Sequence, residues 1–351
     1  MARGSSGKTF HVRLTGDFYT PSGELNFQDI GLSLLEEQPQ IAFDHFDEHQ
    51  MEIAPAQLGP ANGVVVLAPN VTKASLAAAD DLLAVGRFGV GFDSVDVAAC
   101  TDADVVLYTT AGAVDYPVAE ATLMWMLALL HRVRIKDNLL RTGNWDKRND
   151  HMGGELRDRT LGIVGLGGIG RALVKLIEPF GMHQPIAADP FVDADQAREA
   201  GVEMVDLDEL MKSADIVSVH CPLSDATRDI IGRREIEMMK PTAFLINTAR
   251  GGIVNEDALY DALKSGRIAG AGIDCFVGEP IKAHHRFSEL ENVLLAPHSI
   301  AWTNEFFLDI GRAVCQGMID LSLGRRPHLV INPQVLDRPG FKEKWARLRC
   351  D

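Results

Sequence analysis

Short apolar runs alternate with longer helix-like stretches along almost the whole of this 351-residue chain, and that alternation constrains the fold more than any other feature. The runs fall at residues 10–14, 40–43, 63–67, 82–85 and 105–108, then at 161–164, 185–188, 216–219, 243–246, 270–273 and 293–295. Gly, Pro, Asp or Asn punctuates each of them. Strands separated by helices pair in parallel, because each helix carries the chain back across the sheet. The pattern predicts two doubly wound α/β domains, with one sheet before about residue 112 and one after it. Residues 117–134 have helical length and composition and are read as the connection. A long helix is expected from Thr303 onward, followed by an end broken by Pro327 and Pro333.

Composition narrows the class. At 46% apolar and 24% charged, the chain has the balance of a globular protein. Its longest apolar run, residues 121–130, is half of the roughly 20 residues that span a bilayer, so a buried helix is expected there. Residues 1–7 are small and polar, without the apolar core of a signal peptide. A net charge of −15 and dispersed basic residues argue against nucleic acid and anionic membranes as partners. The five cysteines are odd in number and scattered, which reads as reduced thiols of a cytoplasmic protein.

The strongest local signal is GLGGIG at 165–170, directly after the apolar run 161–164. Gly165 permits the tight turn, Gly167 lets backbone approach a pyrophosphate, and Gly170 lets helix pack on strand. Gly168 and Ile169 complete the turn, and the helix expected at 171–180 offers its N-terminus and unpaired N–H groups to the phosphates. Asp189 ends the next run, nineteen residues after Gly170, where a carboxylate can accept from both ribose hydroxyls. Residues 190–193 contain no Lys or Arg for a 2′-phosphate, so the expected cofactor is NAD rather than NADP.

Three later runs are each followed by a polar residue just past their carboxyl ends: Arg250 within INTARGG at 246–252, Glu279 within GIDCFVGEP at 272–280, and His298 within APH at 296–298. Ligands of open parallel sheets bind at the carboxyl ends of strands, where these loops lie. Singly, Glu279 and His298 read as an ordinary loop acid and strand-end histidine. Their joint order, together with GLGGIG and VHCPL at 219–223, is far more specific.

With these motifs the chain resembles the D-isomer-specific 2-hydroxyacid dehydrogenases, over nearly its whole length and most densely from 161 to 298. The resemblance implies a Rossmann NAD-binding domain at 112–298, inserted into a flavodoxin-like substrate domain made of 1–111 and 299–351. It further implies a homodimer with the active site in the interdomain cleft, and hydride transfer between NAD and a small D-2-hydroxy acid or its 2-keto partner. Arg250 would clamp the substrate carboxylate with a planar donor fork. His298 would donate and accept the proton, and Glu279 would orient it. Asp274 would hold the nicotinamide amide, Thr248 and Ala249 would lie near the ring, and His220 and Pro222 beside the adenosine. In the first domain, RFGVGFD at 87–93 is similar to the family's substrate loop, with Val90 and Gly91 binding the carboxylate through backbone N–H groups and Gly89 and Gly91 making room. Trp302 would cap the pocket. No metal is expected, because Arg250 and the nicotinamide carry the charge and the hydride.

Other patterns are decoys or departures. His45 and His49 stand four apart, but Phe46 occupies the place where a zincin has Glu. His284 and His285 are expected to be solvated, and Cys275 to be a core thiol. Gly168 replaces the Arg of many relatives, and Asp115 stands where a neutral residue is usual. Residues 65–69 lack the arginines of phosphoglycerate-using relatives, and the chain ends before the regulatory domain that many of those carry. The rival reading from another class is an NAD-sensing dimeric scaffold resembling the C-terminal-binding-protein corepressors, which also carry a Trp near position 302.

Overall fold

A computed structural model describes residues 8–350, so the polar stretch at 1–7 lies outside the described residues. The chain forms two compact units: one from the residues up to Val114 together with those from Thr303 onward, the other from Asp115 to Trp302.

The first unit carries five parallel strands: β1 (Phe10–Leu14), β2 (Ile41–His45), β3 (Gly63–Val66), β4 (Ala84–Arg87) and β5 (Val106–Tyr108), in the order β2-β1-β3-β4-β5. This is the flavodoxin-like doubly wound order. β3 and β5 are buried at every residue, which is why they read as unbroken apolar runs rather than alternating ones. The expected strand at 82–85 begins two residues later, at Ala84, which pairs with Gly63 and shares the Asn62 carbonyl with the Leu83 N–H. Thr303 caps the long helix Asn304–Ser322 by accepting from Phe306 N–H at 3.0 Å. The tail after this helix returns to the sheet. Asn332, wholly buried, accepts from Leu107 N–H at 2.8 Å and donates to the Val105 carbonyl at 2.9 Å.

The second unit carries seven parallel strands in the order β12-β11-β10-β9-β6-β7-β8. They are β6 (Leu161–Val164), β7 (Ile186–Ala188), β8 (Glu203–Met204), β9 (Ile216–Val219), β10 (Phe244–Asn247), β11 (Gly270–Ile273) and β12 (Val293–Leu295). The order reverses between β6 and β9, leaving a crevice at their carboxyl ends, as in dinucleotide-binding folds. β8 was not expected. It is two residues long and lies at the sheet edge with an exposed Glu203, so it makes no apolar run.

The apolar stretch at 121–130 lies in the helix Asp115–Leu130, which buries Ala121, Trp125, Met126 and Leu129 among others. The single helix expected over 117–134 is divided. Gly154 N–H takes the Leu130 carbonyl at 2.9 Å, Arg132 turns left-handed (φ 56°), and a second helix, Val133–Arg141, follows. No helix among the described residues is long and apolar enough to cross a membrane. The five cysteines, all among the described residues, form no disulfide.

Candidate active site

The glycine turn follows β6 as its sequence requires. Gly165 has φ +94°, and a Cβ there would stand 2.6 Å from the Cys221 nitrogen, so only glycine lets the β6 and β9 loops meet. Gly167 precedes the helix Gly168–Ile177, and the place of its missing Cβ is open, leaving the backbone approachable. Asp189 spans the turn: one carboxylate oxygen accepts from Leu166 N–H at 2.9 Å and the other from Phe191 N–H at 2.8 Å. The carboxylate is held in place, yet each oxygen keeps a lone pair for a further donor.

Gly168 and Asp115 turn out to be one feature. A Cβ on Gly168 would collide with the Asp115 carboxylate, which occupies the space where a side chain would leave the helix. The first turns of the Asp115–Leu130 and Gly168–Ile177 helices therefore meet at this carboxylate.

His220 follows β9. Burial pushes its imidazole down to about 4, so it is neutral at physiological pH. Its Nε2 lies 2.8 Å from the Ser218 hydroxyl, while its buried Nδ1 has no hydrogen-bond partner. A buried polar atom without a partner calls for one. With the pinned acid and the open glycine cradle, it makes these residues fit an adenosine diphosphate moiety. Pro222 is exposed at the same strand end.

Beyond β10, β11 and β12 the other candidates gather. Asn247 ends β10, and its side chain both accepts from Ala249 N–H (3.1 Å) and donates to the Arg250 carbonyl (2.8 Å), fixing the loop that carries Arg250. Thr248 lies with its hydroxyl 3.3 Å from that of Thr122. A Cβ on Gly251 would strike the Phe276 carbonyl, so its absence lets the Arg250 loop lie against the loop that carries Glu279. Glu279 accepts from Phe276 N–H at 2.7 Å with one oxygen, and its other oxygen stands 2.7 Å from His298 Nδ1.

The electrostatics of this cluster follow from its contacts. Burial alone would raise the Glu279 carboxyl. The His298 hydrogen bond, the Phe276 N–H and the charges of His298 and Arg250 outweigh it, and the net shift is downward. Asp274 is buried (4% exposed) and moves upward, because desolvation exceeds the help of Ser299 and Ile300 N–H groups. Asp274 also shapes the histidine loop. Its carbonyl accepts from His298 N–H at 2.8 Å and its carboxylate from Ser299 N–H at 2.9 Å. His298 itself sits at φ +54°, a left-handed conformation rare outside glycine and frequent at functional sites.

Arg250, Glu279, His298, Asp274, Thr248 and Ala249 thus share one strand edge of the second unit. Trp302, 52% exposed, is the last residue of that unit. Gly89, Val90 and Gly91 belong to the first unit, just past β4. Gly89 N–H is used on the Thr110 hydroxyl at 3.0 Å, and Val90 is exposed.

Sequence reasoning missed Asn247, Gly251 and Ser218. An Asn ending a strand before a glycine pair was a usable signal for the first two. The Ser218–His220 spacing was a weaker one, since alternate strand residues share a face. Of the two histidines expected in solvent, His284 is exposed and His285 is not. His285 is half-buried between Phe276 and Phe287, at ring distances of 4.9 and 5.1 Å, and caps residue 287 rather than standing in solvent. His45 stacks on Tyr19 at 4.0 Å.

A sequence profile described as the D-isomer specific 2-hydroxyacid dehydrogenase, NAD binding domain, matches residues 123–299. A D-3-phosphoglycerate dehydrogenase of Archaeoglobus fulgidus is 34% identical over 265 residues, covering 76% of this chain and 50% of its own length. A glyoxylate reductase of Korarchaeum cryptofilum is 37% identical over 270 residues, covering 76% of this chain and 81% of its own. The chain spans about half the length of the phosphoglycerate dehydrogenase relatives it matches. Among solved structures, the TT0316 protein of Thermus thermophilus matches with a TM-score of 0.79 at 26% identity, covering 92% of this chain and 100% of that one.

Proposed function

Because this chain belongs to the D-isomer-specific 2-hydroxyacid dehydrogenase family, we propose that it transfers a hydride between NAD and a small D-2-hydroxy acid or its 2-keto partner. One observation carries the reading: an imidazole and a carboxylate 2.7 Å apart, on strand-end loops of the family's NAD-binding domain, beside an arginine. When bound, NAD supplies or accepts the hydride. Everything else falls to the chain's own residues.

Arg250 clamps the substrate carboxylate and polarises the carbonyl. His298, with Nδ1 committed to Glu279, offers Nε2 as the atom that gives a proton to the carbonyl oxygen and takes it back in the reverse direction. Glu279 fixes the orientation and tautomer of that ring. Gly165, Gly167, Gly168, Ile169 and Gly170 hold the pyrophosphate, and Asp189 the adenosine ribose. His220 and Pro222 border the adenosine, Thr248 and Ala249 the nicotinamide ring, and Asp274 its amide. Val90 and Gly91 present backbone N–H groups to the substrate carboxylate, Gly89 makes room for it, and Trp302 borders the pocket. These roles divide the chain into a cofactor domain at 112–298 and a substrate domain at 1–111 with 299–351.

A small unphosphorylated acid is favoured. Past the end of β3, Ala68 N–H is bound by the Asp17 carboxylate at 2.8 Å, so a negative charge stands in the stretch where a phosphate would need arginine. We further propose a cytoplasmic homodimer. Cysteines that form no disulfide support the compartment, and an unburied helix with apolar side chains supports the assembly.

The test is NADH oxidation against a panel of 2-keto acids. Wild type should turn over at least one member, and His298→Ala should lose about a hundredfold or more in kcat while still binding NADH. Arg250→Lys should impair substrate use. Negligible wild-type turnover across the panel, or a His298→Ala enzyme of undiminished rate, overturns the assignment.

A further inference from the structure

We propose that Cys275, Glu279 and His298 form a binding site for zinc or a similarly thiophilic divalent cation, whose occupation blocks His298. One ligand atom from each residue lies within 4.8 Å of the other two. Ligands at about 2.0–2.3 Å around a tetrahedral centre stand roughly 3–4 Å apart, so small side-chain adjustments close the set on a single ion.

The donor chemistry selects the metal. One sulfur, one imidazole nitrogen and one carboxylate oxygen suit zinc, and the sulfur disfavours magnesium or calcium. Thiolate and carboxylate together would balance a 2+ charge. The thiol proton leaves to solvent on binding, and the ion takes the place of the proton between His298 Nδ1 and Glu279 Oε2, now 2.7 Å apart.

Surrounding groups already orient the ligands. Phe276 N–H holds the other oxygen of Glu279 at 2.7 Å, while the Cys275 S–H, which points to the Ala249 carbonyl at 3.3 Å, is the bond given up when the thiolate takes the ion. A supporting contact such as the first is what a metal site requires beyond its ligands. The site is also reachable. Cys275 is 1% exposed and forms its floor, whereas the side chains of His298 and Glu279 are 42% and 32% exposed, leaving a path for the ion and room for a water as fourth ligand.

The metal site stands on these contacts alone; only its inhibitory effect rests on the dehydrogenase reading. Titrating the full chain with Co²⁺ should raise a sulfur-to-cobalt charge-transfer absorption that added Zn²⁺ abolishes. Cys275→Val should lose that absorption. It should keep NADH-dependent turnover, since the thiol takes no part in the proton transfer, while sensitivity to Zn²⁺ falls at least tenfold. Cys275→Ser serves the same purpose if valine packs poorly. Absence of the absorption in wild type overturns the proposal. So does Zn²⁺ inhibition that survives Cys275→Val and disappears instead with His284→Ala and His285→Ala. If no 2-keto acid is turned over, the cobalt titration still reads the site.

Discussion

The carboxylate of Asp115 fills the space beside Gly168, so neither residue can be understood without the other. Substituting Gly168 by Ala should help the first turn of its helix by up to about 1 kcal/mol, the usual advantage of Ala over Gly. With Asp115 present, the new methyl must first push the carboxylate aside. We expect Gly168→Ala to be less favourable by roughly 1–2 kcal/mol in the wild-type background than in Asp115→Ser, measured as a double-mutant cycle of urea denaturation. Additive effects would mean that the two residues do not compete for space. The sequence carried each of these residues as a separate oddity, because they lie far apart along the chain and only the packing of two helices joins them. Gly165 and Asp189 were legible, since a turn between consecutive strands fixes their spacing. Asn247 was not, because its work is done by a side chain folded back on its own loop.

Three strand-end loops hold the polar cluster, and Gly251 is where two of them touch. Gly251→Ala would drive a methyl into the Phe276 carbonyl, a backbone atom that cannot swing away. A cost of about 2–3 kcal/mol in stability is expected, with displacement of the Glu279 loop and at least a tenfold loss of kcat. Unchanged thermal unfolding and kinetics would show that the loops separate without consequence. At this scale the sequence was most informative for buried strands. β3, β6 and β9 are buried at every residue, and only Ser218 of β9 breaks their apolar runs, as burial on both faces of a parallel sheet demands. It was silent on β8, whose two residues follow from edge pairing with β7 rather than from hydrophobicity. It also ran 117–134 as one helix. The break at residues 131–132 is imposed by Gly154 capturing a carbonyl, a contact between segments with no periodic signature.

For the molecule as a whole, the helix Val133–Arg141 buries none of its residues. Val133 (51%), Leu140 (67%), Trp145 (62%) and Met152 (72%) stand exposed around it. Apolar side chains concentrated in this way are where the proposed homodimer would assemble. Replacing Leu140 and Trp145 together by Glu should convert the proposed dimer to a monomer in sedimentation velocity at micromolar concentration; a wild-type monomer, or a dimer indifferent to both changes, would rule out this face. The two-sheet architecture was legible from alternation alone, whereas which surface meets a partner depends on exposure, which periodicity does not report.

The first unit is also interrupted, and that has a bearing on synthesis. Its sheet leaves the ribosome early, but Asn332, which bonds β5, and Val314, whose carbonyl receives the Tyr108 hydroxyl at 2.7 Å, are made only after the whole second unit. At roughly 5–20 residues per second, about 190 intervening residues leave β1 to β5 waiting on the order of 10–40 seconds. Through that interval the nascent chain carries a half-finished sheet beside a unit free to complete itself, and it is there that a chaperone would find its client.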